Sequence, residues 1–460
     1  MSSATEDFAR ELPPGFRDKN ICIIGLGYVG MTLAVAMAER GWRVHGIEKR
    51  PEVVEALADG KASFWENELD ERLAAVVASG RLTGSVYFPD DVDFDTFVIS
   101  VGTPLDSKGK SRTDMVATSA ATVAQIMKDD TLVILRSTVK VGTTRAIVEP
   151  ILRTTGKRFD VAFCPERTLQ GHALAELAKL PQIVGADSKE TRDRCAALFS
   201  HMTDTIVPVS SLEAAELIKL VDNTSRDVSF AFSNEVATLC TQAGLSAHEV
   251  IRKGSFQYPR TSLFLPGPVG GPCLEKDPHI LVESAREFGV EFHIASAARH
   301  VNETQPSDTV KALRRIMKET GGFPENPRIV LCGLAFKGNP ATDDLRGTMA
   351  LPVRQALGEQ IPNAALAGYD PLVPHDMAEE RFAFTALNSL EEAFKGADVV
   401  MILNNNDQFK SMDITQMSSL MNSPGVIYDF WNMHTENKAS LAPGVSYIPL
   451  GGEHLKAEMV

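Results

Sequence analysis

The chain has 460 residues, which is too long for one ordinary hydrophobic core, so two or three domains are expected. Its 44% hydrophobic and 23% charged residues are typical of a soluble globular protein, and its formal net charge of −14 argues against nucleic acid as a partner. No apolar run approaches the roughly 18 residues that span a bilayer. Residues 1–19 resemble no signal peptide, so we expect a loose N-terminal extension, no membrane partner and a cytoplasmic location.

The first motif in the chain is a glycine fingerprint placed between a short apolar run and a helical stretch. Residues 21–24 predict a strand, residues 31–40 predict a helix, and a second apolar run ends at Glu48. In this order a pyrophosphate rests on the N–H groups of the turn, and the acid binds the ribose hydroxyls. Because Glu48 would repel a 2′-phosphate, we expect NAD rather than NADP. The residues predicted to bind the cofactor at this turn are Gly25, Gly27, Tyr28, Val29 and Gly30.

Up to about residue 208, short branched apolar runs alternate with helical stretches, which predicts a doubly wound, Rossmann-type α/β domain over residues 20–208. The runs are Phe97–Val101, Leu132–Leu135 and Val161–Phe163. Ligands of such sheets bind at the carboxyl ends of the strands. Polar residues follow the runs at these positions: Thr103, Ser137, Thr138, Glu166 and Arg167.

From Ser211 to about Ala243 the sequence predicts one long helix without internal Gly or Pro, ending at Gly244. Its expected apolar face consists of Leu217, Leu220, Val221 and Val228. Helical character continues to about Thr320, which defines a central helical domain over 209–320, and residues 321–324 form a linker. A second strand series then predicts a C-terminal Rossmann-like domain over 321–460 with no GxGxxG of its own.

The six cysteines are scattered without CxxC spacing, which argues against a metal site and against a disulfide framework. One of them, Cys273, follows Gly270, Gly271 and Pro272 and precedes Asp277 by four residues. Glycines at this point let the backbone approach a ligand closely. A thiol in a chain that binds a dinucleotide indicates oxidation through a sulfur-bound intermediate.

Several motifs then recur in one order: the glycine fingerprint, Val101-Gly102-Thr103-Pro104, Ser137-Thr138-Val139, Cys164-Pro165-Glu166-Arg167, Lys219 with Asn223, the Cys273 turn, and Gly333-Leu334-Ala335-Phe336-Lys337. Over about residues 20–450 the chain resembles the UDP-glucose/GDP-mannose dehydrogenase family. The resemblance implies that a UDP-sugar is oxidised at its primary alcohol to a uronate with two NAD⁺, a reaction used in polysaccharide biosynthesis. It also implies a homodimer, in which residues 209–320 serve dimerisation and residues 321–460 bind the nucleotide sugar.

Within that family the chain is most similar to the branch that acts on UDP-N-acetylhexosamines (mannosamine or glucosamine). The residues that carry this similarity are the run Asp222–Val228 and the tripeptide Tyr258-Pro259-Arg260. Lys276 is more typical of UDP-glucose 6-dehydrogenases, which remain the alternative. Pro272 and Trp431 also depart from the branch, since a His and an Arg are common at these positions.

The resemblance assigns roles residue by residue. Cys273 would form a thiohemiacetal and then a thioester, and the positive charges of Lys219 and Lys276 would favour its thiolate. Lys219 and Asn223, four residues apart on one helix, would stabilise the oxyanion. Asp277, through a water shared with Thr138, would be the leading candidate for the general base, and Glu166 would order the same water or relay protons. The sequence does not separate the two as the base. The implied NAD contacts are Thr103, Thr138 and Arg346, and the implied substrate contacts are Glu166, Arg167, Lys219, Asn223, Arg260, Gly271 and Lys337.

Two other functions fit parts of the pattern. A two-electron 3-hydroxyacid dehydrogenase shares the fingerprint and a helix lysine but has no need of Cys273. A catalytically silent nucleotide-sugar sensor has no need of Cys273, Lys219 and Asp277 together.

Overall fold

The computed structural model describes residues 12–89, 92–434, 441–452 and 455–456. The chain divides into two compact units, one formed by residues up to 222 with 279–291, the other by 223–278 and residues from 292 onward. Each unit contains one largely parallel sheet with helices, as expected for an α/β protein. The boundaries predicted at residues 208 and 320 follow changes of secondary structure rather than these units, and they stay predictions.

The first unit is built on eight strands in the order β3-β2-β1-β4-β5-β6-β7-β8. All neighbours pair in parallel except β6 and β7. The central strands are apolar and buried because helices cover both faces. The strands are β1 Asn20–Ile24, β2 Arg43–Ile47, β3 Leu82–Ser85, β4 Thr96–Ile99, β5 Thr131–Leu135, β6 Phe159–Phe163, β7 Gln182–Gly185 and β8 Ile206–Val209.

The helices of this unit include one that begins earlier than predicted. Helix α1 spans Tyr28–Glu39 rather than residues 31–40, so the last fingerprint glycine, Gly30, lies inside its first turn. The others are α2 Pro51–Ala58, α3 Leu69–Ala78, α4 Asp114–Ile126, a π-helical turn Thr144–Val148, α5 Glu149–Arg153, α6 Ala173–Lys179 and α7 Lys189–Phe199.

The expectation of a loose extension up to residue 19 is wrong for its last residues. Residues 1–11 lie outside the described residues, but Asp18 is buried and forms an ion pair with Arg194 at 2.5 Å. Its carboxylate also accepts the hydroxyl of Thr96, and its carbonyl accepts the indole N–H of Trp42. A buried charge that is fully paired fixes this segment against the sheet.

The long helix, α8, spans Leu212–Ala243, close to its predicted bounds. Its predicted apolar face is only partly correct, because Leu220 is buried whereas Leu217 and Val221 are more than 40% exposed. The buried positions are largely polar instead: Glu216, Lys219, Asn223, Thr224, Asp227, Ser233 and Asn234. Four further helices follow: α9 Ala247–Ser255, α10 Gly271–Leu274, α11 Asp277–Glu287 and α12 His293–Thr320.

The second unit contains a seven-stranded sheet in the order β11-β10-β9-β12-β13-β14-β15, in which only the β14–β15 pair is antiparallel. Its strands are β9 Arg328–Cys332, β10 Ala365–Tyr369, β11 Thr385–Ala386, β12 Val399–Ile402, β13 Gly425–Asp429, β14 Val445–Pro449 and β15 Leu455–Lys456. Its helices are α13 Ala350–Gln360, α14 His375–Phe382, α15 Leu390–Phe394, α16 Asp407–Ser411 and α17 Ile414–Ser419. Among the described residues, no helix is long and apolar enough to cross a membrane.

The two sheets begin with the same kind of turn. Gly25 after β1 and Gly333 after β9 have φ values of +91° and +89°. The N–H of each donates at 2.8 Å to the last carbonyl of the neighbouring strand, that of Ile47 or of Tyr369. The second unit therefore repeats the nucleotide-binding turn of the first without its glycine spacing.

Candidate active site

The glycine turn after β1 requires glycine at two positions for steric reasons. A Cβ at Gly30 would lie 1.8 Å from the carbonyl oxygen of Gly25, which itself has a positive φ. A Cβ at Gly27 would meet nothing within 4 Å, so this position leaves room for a ligand above the start of α1. The close approach of backbone at the start of a helix fits a dinucleotide pyrophosphate.

Glu48 lies at the end of β2 and is buried beside this turn. Its Oε2 accepts the N–H of Leu26 at 3.1 Å, and its Oε1 accepts Arg50 Nε at 3.0 Å. Burial opposes ionisation, but the hydrogen bonds and charge of Arg50 outweigh it and lower the pKa of Glu48. The carboxylate is therefore ionised where the motif places the ribose, and it holds Arg50, one of the two cations that follow it in sequence and could attract a 2′-phosphate.

Glu166 follows β6 and forms a buried ion pair with Arg136, a residue that the sequence analysis did not single out. Its Oε2 accepts Arg136 Nη2 at 2.5 Å and Nε at 3.1 Å. Its Oε1 accepts the N–H groups of Arg167 and Thr168. Burial raises the pKa, but Arg136, the Thr168 N–H and the nearby charge of Lys219 together lower it.

The guanidinium of the next residue, Arg167, pairs with Asp222 at 3.0 Å. Arg136 is fixed by further hydrogen bonds to Cys164 O and Gln182 Oε1, each at 3.0 Å. The one sequence signal for the pairing of Arg136 with Glu166 was the position of this arginine directly after a buried apolar strand.

Thr103 and Thr138, predicted from strand ends, lie in contact in the same unit. Thr103 Oγ1 donates to the Thr138 carbonyl at 2.5 Å, and Ser137 Oγ donates to Val101 O at 2.7 Å. These bonds join the ends of neighbouring strands β4 and β5. The half-buried side chain of Thr138 is left at the carboxyl edge of the sheet, where a ligand of such a domain binds.

In the second unit, Cys273 lies in the single turn of α10 and is exposed, whereas the other five cysteines are buried. Backbone packing shapes this turn. Gly271 has a φ of +89° and its N–H donates to Gly347 O at 2.7 Å. A Cβ at Gly270 would lie 2.2 Å from that same oxygen, and one at Gly271 would lie 2.5 Å from the Phe336 ring. Side chains are therefore excluded at both positions before the thiol.

Asp277 is fully buried and begins α11, rather than lying in a loop. Both of its carboxylate oxygens accept a hydrogen bond. Its Oδ2 accepts Asn223 Nδ2 at 2.6 Å, and its Oδ1 accepts Lys276 Nζ at 2.6 Å. The structure thus brings together three residues that the sequence predicted for the reaction, and two of them, Lys276 and Asp277, lie within four residues of Cys273 in the chain.

The remaining predicted residues have local partners. Tyr28 donates its hydroxyl to Glu66 at 2.8 Å. Arg260 is exposed and stacks on Tyr258, with its guanidinium carbon 4.9 Å from the ring centroid. Lys337 lies over the ring of Phe336, which packs against Gly271, and Arg346 pairs with Asp344 at 2.6 Å. Within the described part of the chain no cluster of His, Cys, Asp or Glu could hold a metal ion.

The described geometry defines a class: a dehydrogenase with a dinucleotide turn, an exposed cysteine in a glycine-shaped turn, and buried acids engaged by cations or amides. Family models agree with it along most of the chain. They match residues 19–203 as the NAD binding domain, 213–304 as the central domain and 330–436 as the UDP binding domain of the UDP-glucose/GDP-mannose dehydrogenase family.

Individual proteins are similar over most of their length. A UDP-N-acetyl-D-mannosamine dehydrogenase of Pyrococcus horikoshii is 32% identical over 400 residues, covering 85% of this chain and 91% of its own. A solved structure of UDP-D-ManNAc dehydrogenase from Pyrococcus horikoshii superposes with a TM-score of 0.83 at 31% identity, covering 94% of this chain and 99% of that one. A UDP-glucose dehydrogenase structure from Pyrobaculum islandicum gives 0.82 at 25% identity, covering 96% and 99%.

This chain belongs to the UDP-glucose/GDP-mannose dehydrogenase family and is an NAD-dependent nucleotide-sugar dehydrogenase. The family resemblance, the three-part α/β architecture and NAD as cofactor are thereby confirmed. The 3-hydroxyacid dehydrogenase and the silent sensor are set aside, because the matches extend through the central and UDP binding domains to dehydrogenases.

The position of Glu48 predicts the cofactor preference of the enzyme. We expect kcat/KM for NAD to exceed that for NADP by roughly a hundredfold, because like charges brought together cost several kcal/mol. Glu48→Gln should narrow the ratio, whereas Glu52→Gln, which removes an exposed acid at the start of α2, should leave it unchanged. Equal values for the wild-type enzyme would mean that Lys49 or Arg50 offsets the acid.

Proposed function

We propose that the enzyme oxidises the 6-hydroxymethyl group of a UDP-N-acetylhexosamine to the uronate through covalent intermediates on Cys273. The observation that carries the proposal is the exposed thiol in its glycine-shaped turn, close in sequence to an Asp277 held by Asn223 and Lys276. When bound, NAD⁺ accepts the hydride in each of the two oxidations. The free thiols and the need for NAD favour a cytoplasmic location.

The first oxidation converts the C6 alcohol to an aldehyde, losing one hydride and one proton. The Cys273 thiolate then adds to the aldehyde carbon and forms a thiohemiacetal, so that no free aldehyde is released. Lys219 and Asn223 donate to the oxygen that becomes negative in this addition. The second oxidation removes the remaining hydride and leaves a thioester on Cys273.

Hydrolysis of the thioester needs a base for the attacking water, and the hydrogen bonds of the two candidates differ. Glu166 accepts two donors on each oxygen and has a lowered pKa, which suits an acid that stays ionised and orients its neighbours. Asp277 accepts one donor on each oxygen, and each oxygen can accept a second. We therefore favour Asp277 as the base.

The choice of sugar rests on sequence similarity rather than on fold, since structures of the mannosamine and glucose enzymes superpose almost equally well. The 32% identical relative acts on UDP-N-acetyl-D-mannosamine by its name. We propose this compound as the first candidate substrate and UDP-glucose as the alternative.

A substrate panel tests the proposal directly. UDP-N-acetylmannosamine, UDP-N-acetylglucosamine, UDP-glucose and GDP-mannose would each be mixed with the enzyme and NAD⁺, and NADH and sugar acid would be counted. We expect the highest kcat/KM with an N-acetylated UDP-sugar, with two NADH and one carboxylate per sugar. One NADH per sugar with free aldehyde would contradict the covalent mechanism, and a preference for UDP-glucose would contradict the assigned sugar.

Replacing the thiol tests the nucleophile. In Cys273→Ser we expect turnover to fall by roughly a thousandfold or more, because a serine alkoxide is far harder to form at neutral pH than a thiolate. Binding of the UDP-sugar, measured by calorimetry, should persist. Cys240→Ser, which changes a buried cysteine on α8, is the control for loss of a thiol as such. Turnover of Cys273→Ser at the wild-type rate would exclude the covalent route.

We further propose that the enzyme is a homodimer formed around α8. The outer positions of α8 and of the elements after it expose large apolar side chains, which on an isolated chain are an association surface. Those more than 45% exposed in the second unit are Phe232, Leu239, Leu245, Val250, Phe256 and Ile294.

Light scattering at micromolar concentration should therefore give twice the mass of one chain. Leu239→Arg, at a position 69% exposed, should shift the population toward the monomer. Met377→Arg, which changes an exposed apolar residue on α14, should leave the mass unchanged. A monomeric wild-type mass would contradict the dimer.

A further inference from the structure

Buried polar side chains on α8 and α12 hold the start of the segment that leads to Cys273. Asn234 Nδ2 donates to the Gly267 carbonyl at 3.1 Å, and the Gly267 N–H donates to Asn234 Oδ1 at 3.0 Å. Gln305 donates to the same carbonyl at 3.3 Å. The backbone at Gly267 is thus fixed to two helices.

The other end of the segment is held by an ion pair. Arg299 Nη1 donates to the carbonyl of Leu274, the residue after Cys273, at 3.1 Å and to Asp227 Oδ1 at 2.6 Å. Asn302 donates to Asp227 at 2.9 Å and accepts from Asn234 at 3.1 Å, so the two ends are joined. We call Asn234, Asn302, Asp227 and Arg299 the loop anchor.

The ion pair of the loop anchor is costly to bury. Burial raises the pKa of Asp227 despite the charge of Arg299 and the hydrogen bonds that it accepts. Among the described residues, Asp227 Oδ2 has no hydrogen-bond partner. A buried ion pair with an unsatisfied oxygen adds little to stability compared with apolar packing, so its value has to lie in what it positions.

We propose that Asp227 and Arg299 are positioning residues that fix the turn of Cys273 for attack on the sugar aldehyde. The inference rests on the proposed function, in which Cys273 is the nucleophile. Arg299 holds the Leu274 carbonyl, one residue after the thiol, and the Gly271–Gly347 hydrogen bond holds the backbone two residues before it. With the backbone held on both sides of Cys273, the direction of its Cα–Cβ bond is set before substrate binds.

Such positioning predicts a loss in kcat rather than in binding. Lysine at 299 keeps the positive charge but cannot reach both Asp227 and the Leu274 carbonyl with the geometry of a guanidinium. We expect kcat of Arg299→Lys and of Asp227→Asn to fall about tenfold to a hundredfold, as small displacements of a reacting group do. KM for NAD and for the UDP-sugar should stay within about twofold, because neither residue contacts them in this proposal.

Alkylation of Cys273 by iodoacetamide, followed by mass spectrometry, gives a readout that needs neither substrate nor cofactor. The thiol is already exposed, so access is not limiting. A loosened turn should change its alkylation rate at neutral pH, because the backbone then no longer holds the thiol in one orientation. The alkylation measurement remains interpretable if the proposed substrate is wrong, because it uses no substrate. Cys273→Ser tests the covalent mechanism separately.

Glu303→Gln is the matched control. It removes the 3.3 Å contacts of Arg299 with an exposed acid but leaves the bonds to Asp227 and Leu274. It should keep wild-type kcat and wild-type alkylation. The proposal is overturned if Arg299→Lys and Asp227→Asn keep the wild-type kcat and alkylation rate. It is also overturned if their kcat falls only together with NAD affinity and thermal stability, which would indicate general unfolding.

Discussion

Helix α8 carries the constraint on which much of this structure depends, because about half of its buried side chains are polar and several of its large apolar ones are exposed. A helix on a globular surface ordinarily does the opposite. Each buried polar group therefore needs a partner: Glu216 accepts the N–H groups of Gly142 and Thr144, Asn223 binds Asp277, and Asp227 binds Arg299. The helix orders the loops around it by hydrogen bonds as well as by apolar contacts such as those of Leu220.

The buried carboxyl of Glu216 lies in an environment that disfavours its charge, and it also fixes a neighbouring turn. Burial raises its pKa to about 7, although three donors from residues 142–144 oppose the shift. Those donors belong to the turn that follows Thr138, and Glu216 precedes Lys219 by less than one helical turn. The carboxyl therefore ties a strand-end turn to the helix that supplies the proposed oxyanion donors.

The two glycine turns differ in how many of their N–H groups are already hydrogen-bonded to an acid. This difference explains why only the first unit has the features of a dinucleotide site. In the first unit, Glu48 accepts one N–H of the turn, that of Leu26. In the second, Asp370 accepts the N–H groups of both Leu334 and Ala335 and is buried. Because this acid already uses the donors that a pyrophosphate would need, the second turn is not equivalent to the first.

The parts of the fold that the sequence predicts are those with local signals. The predicted strands at residues 97–101, 132–135 and 161–163 overlap β4, β5 and β6, because short branched apolar runs have few other uses. Strands β3, β7 and β8 were missed because each contains polar residues, Gly or Pro that interrupt the apolar run. Asp18 was assigned to a loose tail because its partner, Arg194, lies 176 residues away.

The residues of the candidate site also divide into those that local sequence signals predict and those that they do not. Cys273, Asn223, Asp277 and Glu166 stand in motifs with fixed spacing, and the structure gives each a chemically suitable environment. Arg136 and Arg299 were missed because their roles depend on partners 28–30 and 25–72 residues away, respectively. No local periodicity distinguishes such an arginine from a solvated one.

The residues that depart from the pattern of the N-acetylhexosamine branch lose weight once their contacts are known. Lys276 donates at 2.6 Å to Asp277, so its charge is used within the site and does not by itself report the group at C-2 of the sugar. The Trp431 ring packs on Gly267, and its indole N–H donates to Leu403 O at 2.9 Å, which accounts for this departure by packing. What remains to decide the sugar is the overall identity to mannosamine enzymes, and this favours a 2-acetamido sugar.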